Sequence, residues 1–394
     1  MQQWQTADPL GSALNTRATR WVPEAAAAAP GAPMAASGMQ PFSFTGRASE
    51  YFGIWIVNVL LSILTLGIYS AWAKVRNKRY FYGNTVLAGY AFDYLASPIQ
   101  ILTGRLIAVA FLVLWGVAVN FFWWVDVLMF LVVLPVITPW AIVRAFTFVA
   151  RYSSHRNVRF DFNGTMREAF VVYVLLTVGD LLTFGMLHPY TVYRRRKFRI
   201  ERALYGRTPL SFSGAARAFY HVYSKAVALA LPFLLVGVGL VHASGLNLVV
   251  LFEYLTADEL VGAAQGVDGD QLVAPGLIGP AVLFFVLSIL VPAIYVDTRL
   301  TNYVWSETRV GPHRFALDLS FGRVLWLWVS NLAAIILSIG LLIPWARIRM
   351  ARYRIERLQL AVAGSLDGLV AAGHQRLAAT GDELGEALGM DLGF

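Results

Sequence analysis

Four long apolar runs, Leu106 to Trp124, Val125 to Ala145, Ala226 to Val249 and Leu277 to Ile294, constrain this chain more than any other feature. Each holds about twenty residues, enough for a helix rising 1.5 Å per residue to cross a ~30 Å hydrocarbon core. A water-soluble domain has no use for such runs. Here 58% of the 394 residues are apolar and 14% charged, against about 25% charged in a soluble domain. The chain therefore reads as a polytopic integral membrane protein. Met1 to Gly11 lacks the basic start and apolar stretch of a cleavable signal, so insertion is expected through the internal helices.

Residues 1–39 are rich in Ala, Pro, Gly and Ser, including Ala25 to Ala29 and Pro30-Gly31-Ala32-Pro33, a disordered-tail composition. Beyond them the chain repeats itself. Phe42-Ser43-Phe44-Thr45-Gly46 with Glu50 and Phe52 returns as Phe160-Asp161-Phe162-Asn163-Gly164 with Glu168 and Phe170. At the same offset, Thr65-Leu66-Gly67 and Trp72 match Thr183-Phe184-Gly185 and Tyr190, and Arg76, Arg79 and Tyr80 match Arg194, Lys197 and Phe198. A third copy aligns Asn58, Gly67, Trp72, Lys74, Arg76, Arg79 and Tyr80 with Asn331, Gly340, Trp345, Arg347, Arg349, Arg352 and Tyr353.

Each unit reads as a short alternating segment, an apolar helix, a Gly-containing break, a basic amphipathic helix and a second alternating segment. The alternating pieces are Phe42/Phe44, Tyr90/Phe92/Tyr94, Phe160/Phe162, Leu210/Phe212, Phe315/Leu317/Leu319 and Leu358/Leu360/Val362. Their period of two predicts short strands at the membrane surface. The expected fold is an all-α integral membrane protein with small interfacial β-strands, in which three repeat units are joined by two transmembrane hairpins. The boundaries are a tail at 1–39, unit one at 40–98, a hairpin at 99–150 and unit two at 151–220. A second hairpin at 221–298, with an acidic external loop at 252–275, leads into unit three and a C-terminal tail at 299–394.

Charge counting addresses topology. If all seven apolar segments cross, the 32 Lys and Arg divide equally between the two sides. If each repeat helix instead turns back at Thr65-Leu66-Gly67, Thr183-Phe184-Gly185 or Ser338-Ile339-Gly340, all 32 lie on one side. The outer connections are then the 121–126 turn and the 252–275 loop, which hold acids and no Lys or Arg. The positive-inside rule favours four crossings with three re-entrant elements and both termini cytoplasmic. Seven crossings, with inverted repeats of the kind transporters use, is the rival.

The run from Asn58 through Trp72-Ala73-Lys74-Val75-Arg76, followed by Arg79-Tyr80 and Gly83-Asn84-Thr85, closely resembles the YjgN family of bacterial inner-membrane proteins, a domain of unknown function. The ending Gly381 to Phe394 is also similar to that family, and the resemblance covers about residues 41–394. It implies the bacterial inner membrane and an architecture, and it supplies no catalytic residue and no ligand. Unit two departs from the motif, with Glu201-Arg202 where unit one has Gly83-Asn84, so no role of Asn84 transfers there.

Candidate chemistry is sparse. Asp180, between Gly179 and Leu181 in an apolar segment, is either a functional intramembrane carboxylate or a cap at a helix break. His242 is a candidate proton carrier or an ordinary hydrogen-bonded side chain beside Ser244. Asn58 and Asn331 are expected to bond between repeats and fix their packing, with ligand contact as the sharper reading. Arg76, Arg79, Arg194, Lys197, Arg349 and Arg352 form a basic ladder that anchors in the headgroup region or binds anionic phospholipid.

The six histidines have no metal spacing, cysteine is absent, and no phosphate loop or nucleophile elbow is visible. No metal, cofactor, catalytic residue or nucleic-acid partner is expected, the net charge of +9 being placed beside apolar runs. The functional expectation is a non-enzymatic scaffold that engages membrane lipids, anionic phospholipids by charge, or organises the envelope. The alternative is a secondary transporter or channel with Asp180 on the pathway.

Overall fold

The computed structural model describes residues 38–122, 124–244 and 275–363. The 252–275 loop, up to its last residue, and the C-terminal tail lie outside the described residues, as does the N-terminal tail up to residue 37.

The expectation of an all-α fold with small separate strands is overturned. Ten strands close into one antiparallel barrel in which every chain neighbour is a sheet neighbour. They are β1 (Gly38–Phe44), β2 (Thr85–Leu87), β3 (Tyr90–Tyr94), β4 (Ser153–His155) and β5 (Val158–Phe162). The remainder are β6 (Ala203–Tyr205), β7 (Thr208–Phe212), β8 (Thr308–Val310), β9 (His313–Leu317) and β10 (Leu358–Val362). The ring closes because β1 pairs with β10 through Gly38 to Pro41 and with β2 through Phe42 to Phe44. Closure is the physical solution to short strands, since it leaves no bare edge. The six segments with visible alternation are β1, β3, β5, β7, β9 and β10. Four three-residue strands, too short to display a period, supply the remainder. The tail boundary also shifts, because Gly38 and Met39 belong to β1.

Tight two-residue hairpins join β2 to β3, β4 to β5, β6 to β7 and β8 to β9. Ala88-Gly89 and Arg156-Asn157 hold positive φ at both central positions, and Gly206 and Gly311 at the first only. These are the mirror-image turns whose twist suits a hairpin. Between hairpins the chain leaves the barrel as a helix pair. In an up-and-down ring all such excursions depart from and return to the same end, and the hairpins and the two chain ends of the barrel occupy the other.

Among the described residues, five helix pairs hang from the first of these ends. Three are short fingers: α1 (Ala48–Leu64) with α2 (Ser70–Gly83), α5 (166–182) with α6 (His188–Glu201), and α9 (Phe321–Leu337) with α10 (Ile343–Glu356). Two are long hairpins: α3 (Pro98–Phe121) with α4 (Trp124–Arg151), and α7 (Ala216–Ala243) with α8 (Ile278–Ser306). Each long helix has the length and hydropathy to cross a membrane. At 17 residues, α1 and α9 are shorter, about 25 Å by the helical rise.

Phe42, Leu87, Val158, Tyr205, Val310 and Leu360 form the barrel core, with Phe92, Phe160, Leu210 and Phe315 packed against it. At the helix end, strand and helix are locked by an aromatic-x-glycine step. A Cβ on Gly164 would come within 2.7 Å of the Phe198 ring, and one on Gly46 within 2.7 Å of Phe44. The third unit makes the same joint with sizes exchanged: Leu317 and Leu319, both buried, replace the large-small pair.

Helix starts are held across three of the pairs. The Tyr80 hydroxyl accepts from Arg47 N at 2.8 Å, that of Tyr303 from Ala215 N at 2.8 Å, and that of Tyr353 from Ser320 N at 3.0 Å. The second finger has Phe198 at the Tyr80 position and uses a capping box between Thr165 and Glu168 instead.

Candidate functional site

The three finger tips share one construction. Leu66, Phe184 and Ile339 adopt φ of 48°, 49° and 51°, each followed by a glycine at 89°, 83° and 87°. Left-handed backbone costs a bulky L-residue about 1–2 kcal/mol, most for a β-branched side chain such as Ile339. These side chains are also 95%, 98% and 95% exposed. In water, neither the strain nor the exposure has any return.

The tip backbone is closed on itself. In the first finger the N–H groups of Thr65, Leu66, Gly67, Ile68 and Ser70 each donate to a carbonyl within the turn, and Tyr69 N donates to Thr65 Oγ1 at 2.9 Å. Thr183 and Ser338 repeat this, accepting from Leu187 N at 3.2 Å and Leu342 N at 3.0 Å. Such a turn can leave water, because the cost of lipid falls on unpaired backbone groups. The turns were legible in the repeated Thr-Leu-Gly, Thr-Phe-Gly and Ser-Ile-Gly. That the residue before each glycine stands at the tip needed the backbone angles.

Above the tips, the basic ladder divides into two kinds. Arg79 and Arg352 are structural clamps: Arg79 donates to the carbonyls of Tyr94 (3.2 Å) and Ala96 (3.1 Å), and Arg352 to that of Gly46 at 2.8 Å. Lys197 pairs with Glu201 at 3.7 Å. The positions one turn nearer the tips clamp no backbone carbonyl, although Arg349 donates to Ser330 Oγ at 2.7 Å. Arg76 is exposed, Arg194 lies 5.9 Å over the Tyr190 ring, and Arg349 lies 5.0 Å over that of Trp345. Guanidinium over an aromatic face beside exposed apolar surface is the arrangement of a headgroup-level belt.

Asn58 and Asn331 are buried, and their bonds stay inside their own fingers rather than running between repeats. Asn58 Nδ2 donates to Asn77 Oδ1 at 3.2 Å. Asn331 Nδ2 donates to the Ala346 carbonyl at 3.3 Å and its Oδ1 accepts from Arg349 at 3.1 Å. His242 is exposed in the last turn of α7. Asp180 neither caps a helix nor stands alone, for its Oδ2 lies 2.8 Å from His188 Nδ1. Sequence reasoning missed His188, although its spacing of eight from Asp180 across the turn was the available signal. Nearby, a groove of about 470 Å³ between α6, α7 and α8 is lined by Arg196, Tyr223 and Asp297. Among the described residues, no group of three or more His, Asp or Glu is arranged to hold a metal.

The model of the family described as "Bacterial protein of unknown function (DUF898)" matches residues 39–387. The inner membrane protein YjgN of Salmonella typhimurium is 24% identical over 356 residues, 83% of this chain and 89% of that protein. The YjgN protein of Escherichia coli O157:H7 is 32% identical over 145 residues, 37% of this chain and 36% of that one. In Escherichia coli K12 a stretch of 53 residues, 14% of this chain and 13% of the relative, is 51% identical. No solved structure matches the chain.

Proposed function

Since this chain belongs to the bacterial family DUF898, and its relatives are inner membrane proteins, we propose that it is a non-enzymatic scaffold of that membrane, engaging lipid from one face. The four long helices cross, the three fingers enter and return, and the barrel with both chain termini is cytoplasmic. The observation that carries this reading is the triplicated tip, an apolar side chain held in strained backbone, almost fully exposed, on a turn whose N–H groups are all paired. Burying such a side chain in hydrocarbon gains about 1.5–3 kcal/mol, which offsets the strain only if the tip lies in lipid.

Two further features support it. The fingers fall short of the ~30 Å core, and the 121–126 turn, at the far end of α3 and α4, carries Asp126 and no base. Arg76, Arg194 and Arg349, none of which clamps a backbone carbonyl, supply the contacts to anionic headgroups, at about 1 kcal/mol per charge near the surface.

The chain has no cysteine, so single cysteines at Asn77, Arg195, Met350 and Ala264 can be probed in intact cells with an impermeant thiol reagent. Labelling confined to Ala264 is expected. A tryptophan replacing Phe184 should also be quenched by phospholipids brominated in the acyl chain. Labelling at Asn77 and Met350 from outside would overturn the scaffold reading in favour of full crossings and transport past Asp180.

A further inference from the structure

At its helix-bearing end the barrel opens into a cavity of about 480 Å³, within the size range of small-molecule sites. Its floor is the aromatic tier of the barrel, Phe42, Phe92 and Phe160, and its walls include Phe146 of α4 and Ala203 of β6. The polar side chains on the lining are Tyr82, Thr85, Ser153, Asp161 and Arg199. Arg199, near the end of α6, reaches the cavity wall half-buried, with its guanidinium 5.9 Å over the Phe146 ring.

Among the described residues, Arg199 has no carboxylate within salt-bridge distance. The acid that shares the wall, Asp161, is already engaged: its Oδ1 accepts from Arg151 at 3.0 Å and from Phe162 N at 2.8 Å. Arg199 therefore faces the largely apolar cavity without an ion-pair partner of its own. Burial and the neighbouring Arg196 push the guanidinium below its ordinary range, the sign of a cation short of solvent and of counter-charge. Phe146, Val149 and Ala150, from the last turns of the membrane-length helix α4, form part of the wall, so the cavity lies where the long helices leave the barrel.

We propose that this cavity binds a single-chain anionic amphiphile drawn from the bilayer, with its acidic head on Arg199 and its acyl chain among Phe42, Phe92 and Phe160. The ligand's origin rests on the membrane reading above, but the site is separate from the finger tips. Aromatic rings accept a flexible chain without demanding polar partners, and the guanidinium forks onto a carboxylate or phosphate.

The test uses the full chain in phosphatidylcholine nanodiscs, with photoactivatable palmitate and photoactivatable hexadecanol as probes and peptide mapping of the crosslinks. Palmitate is expected to label residues 146–162 and 199–203. Arg199→Gln should weaken palmitate labelling about tenfold, as loss of a charge-assisted contact requires. Arg199→Lys keeps the charge but not the fork, so its labelling should fall between that of the native chain and that of Arg199→Gln, and hexadecanol should respond to neither change. Ala203→Trp fills the cavity and should block both probes. Competition by lysophosphatidylglycerol placed in the nanodisc would identify the chain as a lysophospholipid's, and its absence as a free fatty acid's. Palmitate labelling that survives both Ala203→Trp and Arg199→Gln overturns the proposal. Loss in Ala203→Trp alone overturns the anionic assignment. If the tryptophan variant does not fold, the Gln and Lys pair still decides. Depth quenching at Phe184 reads the fingers independently, so failure of the cavity and failure of the scaffold reading are distinguishable.

Discussion

Asp180 and His188 face each other across the Phe184 turn, Oδ2 to Nδ1 at 2.8 Å, and the imidazole packs T-shaped with the Tyr223 ring of α7, ring centres 5.5 Å apart. The contact both staples the second finger and docks it on a long hairpin. Aligned positions are Ser62 and Ser70 in the first finger and Ile335 and Ile343 in the third, so only this finger carries the pair.

His188→Ala is therefore expected to lower stability by about 1–3 kcal/mol, because it strands a carboxylate whose Oδ1 is already buried without a partner. The double change Asp180→Ile with His188→Ile, which copies the third finger, should recover most of that loss. Thermal unfolding in detergent, arranged as a double-mutant cycle, measures the coupling. Additive losses would show that the pair is incidental.

Replacing Leu66, Phe184 and Ile339 together by asparagine separates strain from polarity. Asparagine tolerates the left-handed region, so the fold in detergent should keep or gain stability, by up to about 1 kcal/mol per site. In bilayers the same variant should lose insertion of its tips, read as thiol accessibility of a cysteine placed at Ser62. Unchanged protection of that cysteine would count against tips in lipid.

Two buried histidines make the barrel sensitive to acid. His155 stacks on Phe92 at 4.4 Å, and its Nε2 donates to the Leu87 carbonyl at 3.3 Å. His313 Nδ1 accepts from Ala363 N at 3.1 Å. Burial pushes both imidazoles below their ordinary range. Above the unfolded value of about 6.5, neither state takes up the proton. Below it, the unfolded chain does and the folded barrel resists, so stability falls as pH drops. Unfolding temperatures measured from pH 7 to pH 5 should decline more steeply for the native chain than for His155→Gln. Parallel declines would acquit His155.

The tyrosine hydroxyls that hold helix starts predict a position-specific cost. Tyr303→Phe and Tyr353→Phe each leave a backbone N–H unpaired and should cost about 1 kcal/mol, measured by denaturant midpoint. Thr165→Ala should cost a similar amount in the second finger, where the capping box takes over from the missing hydroxyl. An unaffected Tyr353→Phe would mean that water replaces the hydroxyl.

Local sequence was enough for several features of this protein. The length of the apolar runs set the four membrane-length helices, and the threefold repeat and the Thr-Leu-Gly breaks located the three fingers. Those properties depend on residues a few positions apart, so composition and period expose them. Closure of the barrel was decided only in three dimensions. It depends on pairing β1 with β10 across more than 300 residues, and on strands such as Thr85–Leu87 whose three residues carry no legible alternation. The same distance hid the Tyr303 hydroxyl on Ala215 N and the convergence of Arg199 with Phe42 and Phe92 on one cavity. A basic ladder read as uniform became two kinds of arginine for this reason: carbonyls supplied by other turns of the chain claim Arg79 and Arg352, and leave Arg76 at the surface.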